Sequence, residues 1–161
     1  KMQTAHDGEE VEIHTEDYAT ILLAFDNGAR GAVLLSQVSA GRKNRFWWEV
    51  NGSKASLSWD QERPNELWIG HRDSPNQVLL KDPALMHATV RHIASYPGGH
   101  AEGYPDTFLQ LAKDVYRCAA DSDFSQPATY PTFADAHRLI TLNEAIRTSA
   151  LERRWVQVPL C

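Results

Sequence analysis

The residues Asp17-Tyr18-Ala19-Thr20-Ile21-Leu22-Leu23-Ala24-Phe25-Asp26-Asn27-Gly28, with the apolar run from Arg30 to Ser39 behind them, decide how this chain is read. Asp17 to Phe25 is one strand length of aromatic and aliphatic residues, which suit a pleated, half-buried surface. Asn27-Gly28 separates the two runs, and Asn-Gly favours a tight hairpin whose central residues both take positive φ. Side chains alternate along a strand. Tyr18, Leu22 and Ala24 therefore point one way, and Ile21, Leu23 and Phe25 the other. Both faces are apolar, whereas a sheet with one wet face alternates with polar residues. Two arrangements would cover both faces. Helices take one and a partner subunit the other, or the strand pair is centrally buried within one chain.

Outward from this hairpin the β signals continue. Arg45 to Val50, Asn51-Gly52 and Lys54 to Trp59 repeat the run–turn–run pattern. Glu66 to Gly70 and Gln77 to Leu80 read as two short strands joined through Ser74-Pro75-Asn76. Glu10 to His14 can add a strand at the start. After these six or seven strands the period changes. Phe108, Leu111, Ala112, Val115, Tyr116 and Ala119 form the stripe of an amphipathic helix, opened by Pro105-Asp106. Thr132 to Arg153 predicts a second long helix, with Leu139, Leu142, Ile146 and Ala150 on one face. Thr132 and Asp135 suit its start, and Arg147, Arg153 and Arg154 its end. A shorter helix can form within Pro83 to Ser95, and Trp155 to Val158 can return as a last strand. Strands first and helices afterwards define an α+β fold: an open, mostly antiparallel β-sheet with two or three helices packed on one face.

At 161 residues the chain suits one domain, 1–161, rather than two. Hydrophobic content of 42% with 23% charged residues is globular, and no apolar run approaches a membrane span. A net charge of −5 argues against nucleic acid, which is bound by neutralising phosphates. Cys118 and Cys161 make no disulfide framework, so a reducing, cytoplasmic setting is expected. Met2 follows Lys1, so the chain is expected to be a fragment of a longer protein.

Two segments can carry chemistry. Tyr96-Pro97-Gly98-Gly99-His100-Ala101-Glu102-Gly103-Tyr104-Pro105-Asp106 joins an irregular backbone to four polar side chains. His100, Glu102, Tyr104 and Asp106 can face a ligand, with the imidazole as hydrogen-bond donor or acid/base. Alternatively the segment only starts a helix, with Asp106 in its first turn. Arg42-Lys43-Asn44-Arg45 offers guanidinium, ammonium and amide groups to a polyhydroxylated or anionic ligand, or is a solvated turn. Trp47 and Trp48 must face opposite ways. Trp59 to Trp68 reads as a charged surface network rather than a catalytic pair. The seven histidines include no zinc spacing, and no Gly-x-Gly-x-x-Gly, Gly-x-Ser-x-Gly or phosphate loop occurs. No catalytic, metal or dinucleotide site is assigned within the chain.

Several motifs together resemble the C-terminal domain of the glucose-fructose oxidoreductase/inositol dehydrogenase (Gfo/Idh/MocA) family. They are Thr15-Glu16-Asp17-Tyr18-Ala19-Thr20, Phe25-Asp26-Asn27-Gly28-Ala29-Arg30-Gly31, and Ser36 through Asn44. Asn51-Gly52-Ser53-Lys54-Ala55, Trp59 to Trp68, Gly98 to Asp106, and Tyr130-Pro131-Thr132-Phe133-Ala134-Asp135 continue the likeness in order. The resemblance implies an enzyme that moves hydride between NAD or NADP and a sugar or polyol hydroxyl or carbonyl. It implies an N-terminal Rossmann domain that holds the nucleotide, with substrate between the two domains. The free sheet face would build a homodimer or homotetramer. A lysine in Glu-Lys-Pro and a histidine in Asp-x-x-x-His handle the proton in such enzymes. Neither segment occurs here, and Lys54 and His100 do not replace them. His100, Glu102, Tyr104, Asp106, Arg42, Lys43 and Asn44 would line the substrate side of the cleft. The chain alone would be inactive, since half a site loses the positioning that catalysis needs. The competing reading is a stand-alone, non-catalytic binding or assembly module.

Overall fold

The computed structural model describes residues 2–4, 7–122, 124–125 and 127–159. Its contacts divide the chain into two compact units, Lys1–Arg42 with Asn143–Val158, and Lys43–Leu142 with Pro159–Cys161. Among the described residues every strand pair is antiparallel, and the strands fall into three ladders. The α+β class stands, with open antiparallel ladders and two long helices. Among the described residues no helix is long and apolar enough to cross a membrane.

In the first unit, β1 (Met2–Thr4) pairs with β2 (Glu10–Glu12), and β3 (Tyr18–Ala24) with β4 (Arg30–Ser36). The β3–β4 turn departs from the expected geometry. Gly28 alone takes positive φ, 87°, its N–H donates to the Phe25 carbonyl at 2.9 Å, and Phe25 N–H donates to the Ala29 carbonyl at 3.1 Å. One more residue enters the loop because the Asn27 side chain accepts the Ala29 N–H at 3.0 Å, leaving only glycine in the left-handed region. Asn51 and Gly52 also keep φ out of that region in the second hairpin.

The two faces of β3–β4 differ in cover. Ala19, Ile21 and Leu23 are half-buried. Tyr18, Leu22 and, across the ladder, Leu34 are 53%, 62% and 62% exposed. Within this unit the strand pair is therefore not buried on both faces. The half of α2 (Phe133–Glu152) in this unit carries Ala145, 7% exposed, with Ile146 and Ser149 half-buried beside it. Leu139 and Ala150, expected on the covered stripe, are exposed.

In the second unit β5 (Trp47–Asn51), β6 (Ala55–Asp60), β7 (Glu66–His71) and β8 (Gln77–Leu80) form a four-stranded meander. Trp48 lies opposite Trp59, and their rings stack with centroids 6.5 Å apart. Phe46 meets Trp59 edge-on at 5.9 Å, and the Trp59 indole N–H donates to the Pro64 carbonyl at 3.0 Å. Trp47 takes the other face, under the Arg45 guanidinium at 5.8 Å, so the two neighbouring tryptophans do point apart. Gly70 is buried because the Trp68 ring lies across it.

The helix expected within Pro83 to Ser95 reduces to a 3-10 turn, Arg91–Ile93. Trp155 to Val158 forms no strand. In α1 (Tyr104–Asp121) the half-buried positions are Asp106, Gln110, Asp114 and Cys118, while Phe108, Leu111, Val115 and Tyr116 are exposed. The apolar stripe exists as expected but faces away from the cover that its own unit provides. Cys118 is a free thiol that accepts from the Tyr130 hydroxyl at 3.3 Å, and Cys161 lies outside the described residues.

Candidate functional site

The glycine- and proline-rich segment before α1 is held by Asn65, expected only as part of a surface network, and by Lys81, for which the sequence suggested no role. Asn65 ends the β6–β7 loop and Lys81 follows β8. The Lys81 N–H donates to the Asn65 carbonyl at 2.8 Å, which carries the β7–β8 pairing one step further. Neighbours across a ladder present side chains to the same face, and both of these reach the segment 95–102. The Asn65 amide donates to the His100 carbonyl at 2.8 Å and accepts the Glu102 N–H at 3.2 Å. The Lys81 ammonium donates to the Tyr96 carbonyl at 3.2 Å and pairs with the Glu102 carboxylate.

Glu102 and Lys81 are only 10% and 15% exposed. Burial pushes the Glu102 carboxyl up, but hydrogen bonds from Lys81 and the Ser95 N–H, with the Lys81 charge, outweigh it. The net result lies below the usual carboxylate range. Each oxygen of this ionised group is already engaged, one by Lys81 and one by Ser95. Its chemistry here is to tie the loop rather than to accept a proton.

Asp106 closes the start of α1. Its carboxylate accepts the Gly103 N–H at 2.8 Å, and its own N–H donates to the Gly103 carbonyl at 3.0 Å. This is the helix-start role that the simpler reading of the segment allowed. Tyr104 is exposed and meets Phe108 edge-on at 5.1 Å. His100 is exposed after Gly99, whose φ of 82° turns the loop, and its Nδ1 lies 3.4 Å from the Gly98 carbonyl. The imidazole is thus presented outward while its backbone is fixed.

Beside the loop is a recess of about 520 Å³. Phe46, Trp59 and Tyr104 supply aromatic wall, with Lys81 and Glu102 among the polar lining. Glu102, Tyr104 and Asp106 are thus brought together at one recess, with His100 on the same loop but outside the lining. Arg42, Lys43 and Asn44 are exposed in the β4–β5 connection. Lys43 and Asn44 do not line the recess, and Arg42 belongs to the other unit. In Trp59 to Trp68, Arg63 pairs with Glu66 at 3.2 Å at the surface, as the charge pattern implied. The same stretch also supplies Trp59 and Pro64 to the recess and Asn65 to the loop. The one signal for Lys81 was a lysine closing the apolar run Val78-Leu79-Leu80.

A carboxylate stands in the first turn of each long helix, and at α1 it is Asp106, which accepts the N–H of the capping Gly103. At α2, Asp135 accepts the Thr132 N–H at 2.8 Å and its hydroxyl at 2.7 Å. The bond from the Thr132 N–H is the main reason that the Asp135 carboxyl lies below its usual range.

Over residues 1–158 the chain matches the oxidoreductase family, C-terminal alpha/beta domain. It is 26% identical to levoglucosan dehydrogenase of Pseudarthrobacter phenanthrenivorans across 163 residues, covering 95% of this chain and 39% of that protein. Among solved structures it superimposes on an oxidoreductase from Sinorhizobium meliloti with a TM-score of 0.82 and 27% identity, over 90% of this chain and 42% of the other. A levoglucosan dehydrogenase in complex with NADH and L-sorbose gives 0.81 and 26%, over 96% and 41%. The chain spans about two fifths of the length of these relatives. The ordered strands, the capped helices and the match along nearly the whole sequence agree: this chain belongs to the Gfo/Idh/MocA oxidoreductase family, as its C-terminal domain.

Proposed function

We propose that this chain is the substrate-side and assembly domain, 1–161, of a cytoplasmic NAD(P)-dependent oxidoreductase acting on a sugar or polyol hydroxyl or carbonyl. It works with an N-terminal Rossmann domain of the same protein, which holds the nucleotide, and is inactive without it. The observation that carries this reading is the outward His100 imidazole on a loop tied at Asn65, Lys81 and Glu102 beside an aromatic-walled recess. Levoglucosan dehydrogenase, a relative over nearly all of this chain, handles a sugar-derived substrate, which fits that lining. Sugar sites combine apolar surface with a few placed polar groups. His100 and Tyr104 donate to substrate hydroxyls, and Glu102 and Asp106 hold the loop in shape.

The same reading assigns the open face of β3–β4 to a homodimer or homotetramer. Tyr18, Leu22 and Leu34 form apolar surface that a second copy would cover.

The deciding experiment follows NAD(P)H in the full-length enzyme against a sugar and polyol panel. His100→Ala should raise the sugar KM by about tenfold, the loss of one good hydrogen bond, and leave the nucleotide KM unchanged. An unchanged sugar KM removes His100 from the site. The isolated chain should give no turnover, and a measurable rate would contradict the proposal.

A further inference from the structure

We infer that Asn65 and Lys81 are positioning residues that set the geometry of the His100 loop, and so determine sugar binding without touching the sugar. This rests on the proposed substrate role of that loop. The observations are geometric. Asn65 uses both ends of one amide on residues 35 and 37 positions away, with its donor on the His100 carbonyl and its acceptor on the Glu102 N–H. Lys81, its neighbour across the ladder end, grips the same loop at Tyr96 and Glu102. The two backbone groups bonded by Asn65 flank Ala101, so the amide fixes the chain immediately after the imidazole-bearing residue.

A loop with three glycines has many conformations of similar energy. The Asn65 amide and the Lys81 ammonium select one by satisfying polar groups that the chain cannot pair locally. The rigid base is the four-stranded meander, and the loop is the part it aims. Small misplacement of a binding group costs a large share of its effect. Removing the clamp should therefore reach the sugar through His100.

The test is a kinetic double-mutant cycle in the full-length enzyme. Asn65→Ala should raise the sugar KM about tenfold or more with the nucleotide KM unchanged. In the His100→Ala background it should add little, because the two substitutions remove one shared contribution. Asn65→Asp keeps the acceptor for Glu102 N–H but has no proton for the His100 carbonyl. It should show the same KM rise, and, where it folds, it decides the matter if Asn65→Ala does not. Lys81→Arg keeps the charge and several donors, and should recover most of what Lys81→Met loses. Additivity with His100→Ala, a parallel rise in nucleotide KM, or a wild-type sugar KM in folded Asn65 variants overturns the inference. If His100→Ala alone changes nothing, the substrate-loop reading falls first and this inference with it. If His100→Ala responds and Asn65→Asp does not, only the positioning role falls.

Discussion

The Lys81–Glu102 pair shows how one residue's value depends on its neighbour. Removing one member of a largely covered pair leaves the other charged and without its partner. Lys81→Met should cost about 1–3 kcal/mol, measured by urea denaturation, whereas a surface pair such as Arg63–Glu66 should cost little. The pH dependence follows from the lowered Glu102 pKa. The folded chain keeps this carboxylate charged where the unfolded chain would protonate it. Its contribution is complete above the unfolded value and is lost as pH falls through the lower, folded one. Tm measured down an acid series should fall less steeply for Lys81→Met than for the wild type. Gly70 gives a second residue-scale prediction. A Cβ there would sit 2.3 Å from the Trp68 ring, so Gly70→Ala should destabilise by about 1–3 kcal/mol through overpacking. A wild-type unfolding midpoint would show that the ring has room to move. Neither effect was legible in the sequence, since Val78-Leu79-Leu80-Lys81 and Trp68-Ile69-Gly70 look like ordinary strand ends.

Among the elements, most strand and helix positions followed from period and turn chemistry. Gln77–Leu80 appears where the pattern placed it, and α2 begins after Thr132 as the capping residues indicated. Thr132→Ala should cost about 1 kcal/mol, read as a lower Tm with faster amide exchange in the first turn of α2. An unchanged Tm would mean that packing alone starts the helix. The β3–β4 turn differed because the Asn27 side chain accepts the Ala29 N–H, a bond that competes with the two-residue geometry. The weak signals failed. Trp155 to Val158 has alternating apolar residues but no pairing strand, and Pro83 to Ser95 sustains only three helical residues. In α1 the apolar stripe was correctly located, yet the covered face carries Asp106, Gln110, Asp114 and Cys118. Periodicity distinguishes two faces of a helix but does not name the neighbour of either.

At the scale of the whole molecule, apolar surface on the β3–β4 ladder dominates the prediction. Leu22 and Leu34 are both 62% exposed on one face, and burying such residues contributes about 1.5–3 kcal/mol each. On the proposed assembly role of this face, Leu22→Lys with Leu34→Glu should give smaller species of the full-length protein by light scattering, with its hairpin intact. A mass unchanged from the wild type would assign assembly to another surface. The double apolarity of Tyr18 to Phe25 was visible in the sequence, and the structure decided which face stays open.

The sequence by itself determined the order of strands and helices, the α+β class, where both long helices start and the likeness to one oxidoreductase family. These depend on interactions within a few residues, which alternation, turn residues and capping residues encode directly. Only the tertiary structure decided that Asn65 meets His100 and Glu102, that Lys81 meets Glu102, and which faces are covered. Those contacts join residues 21 to 37 positions apart, and a local pattern carries no record of which distant polar groups will satisfy each other once the chain closes.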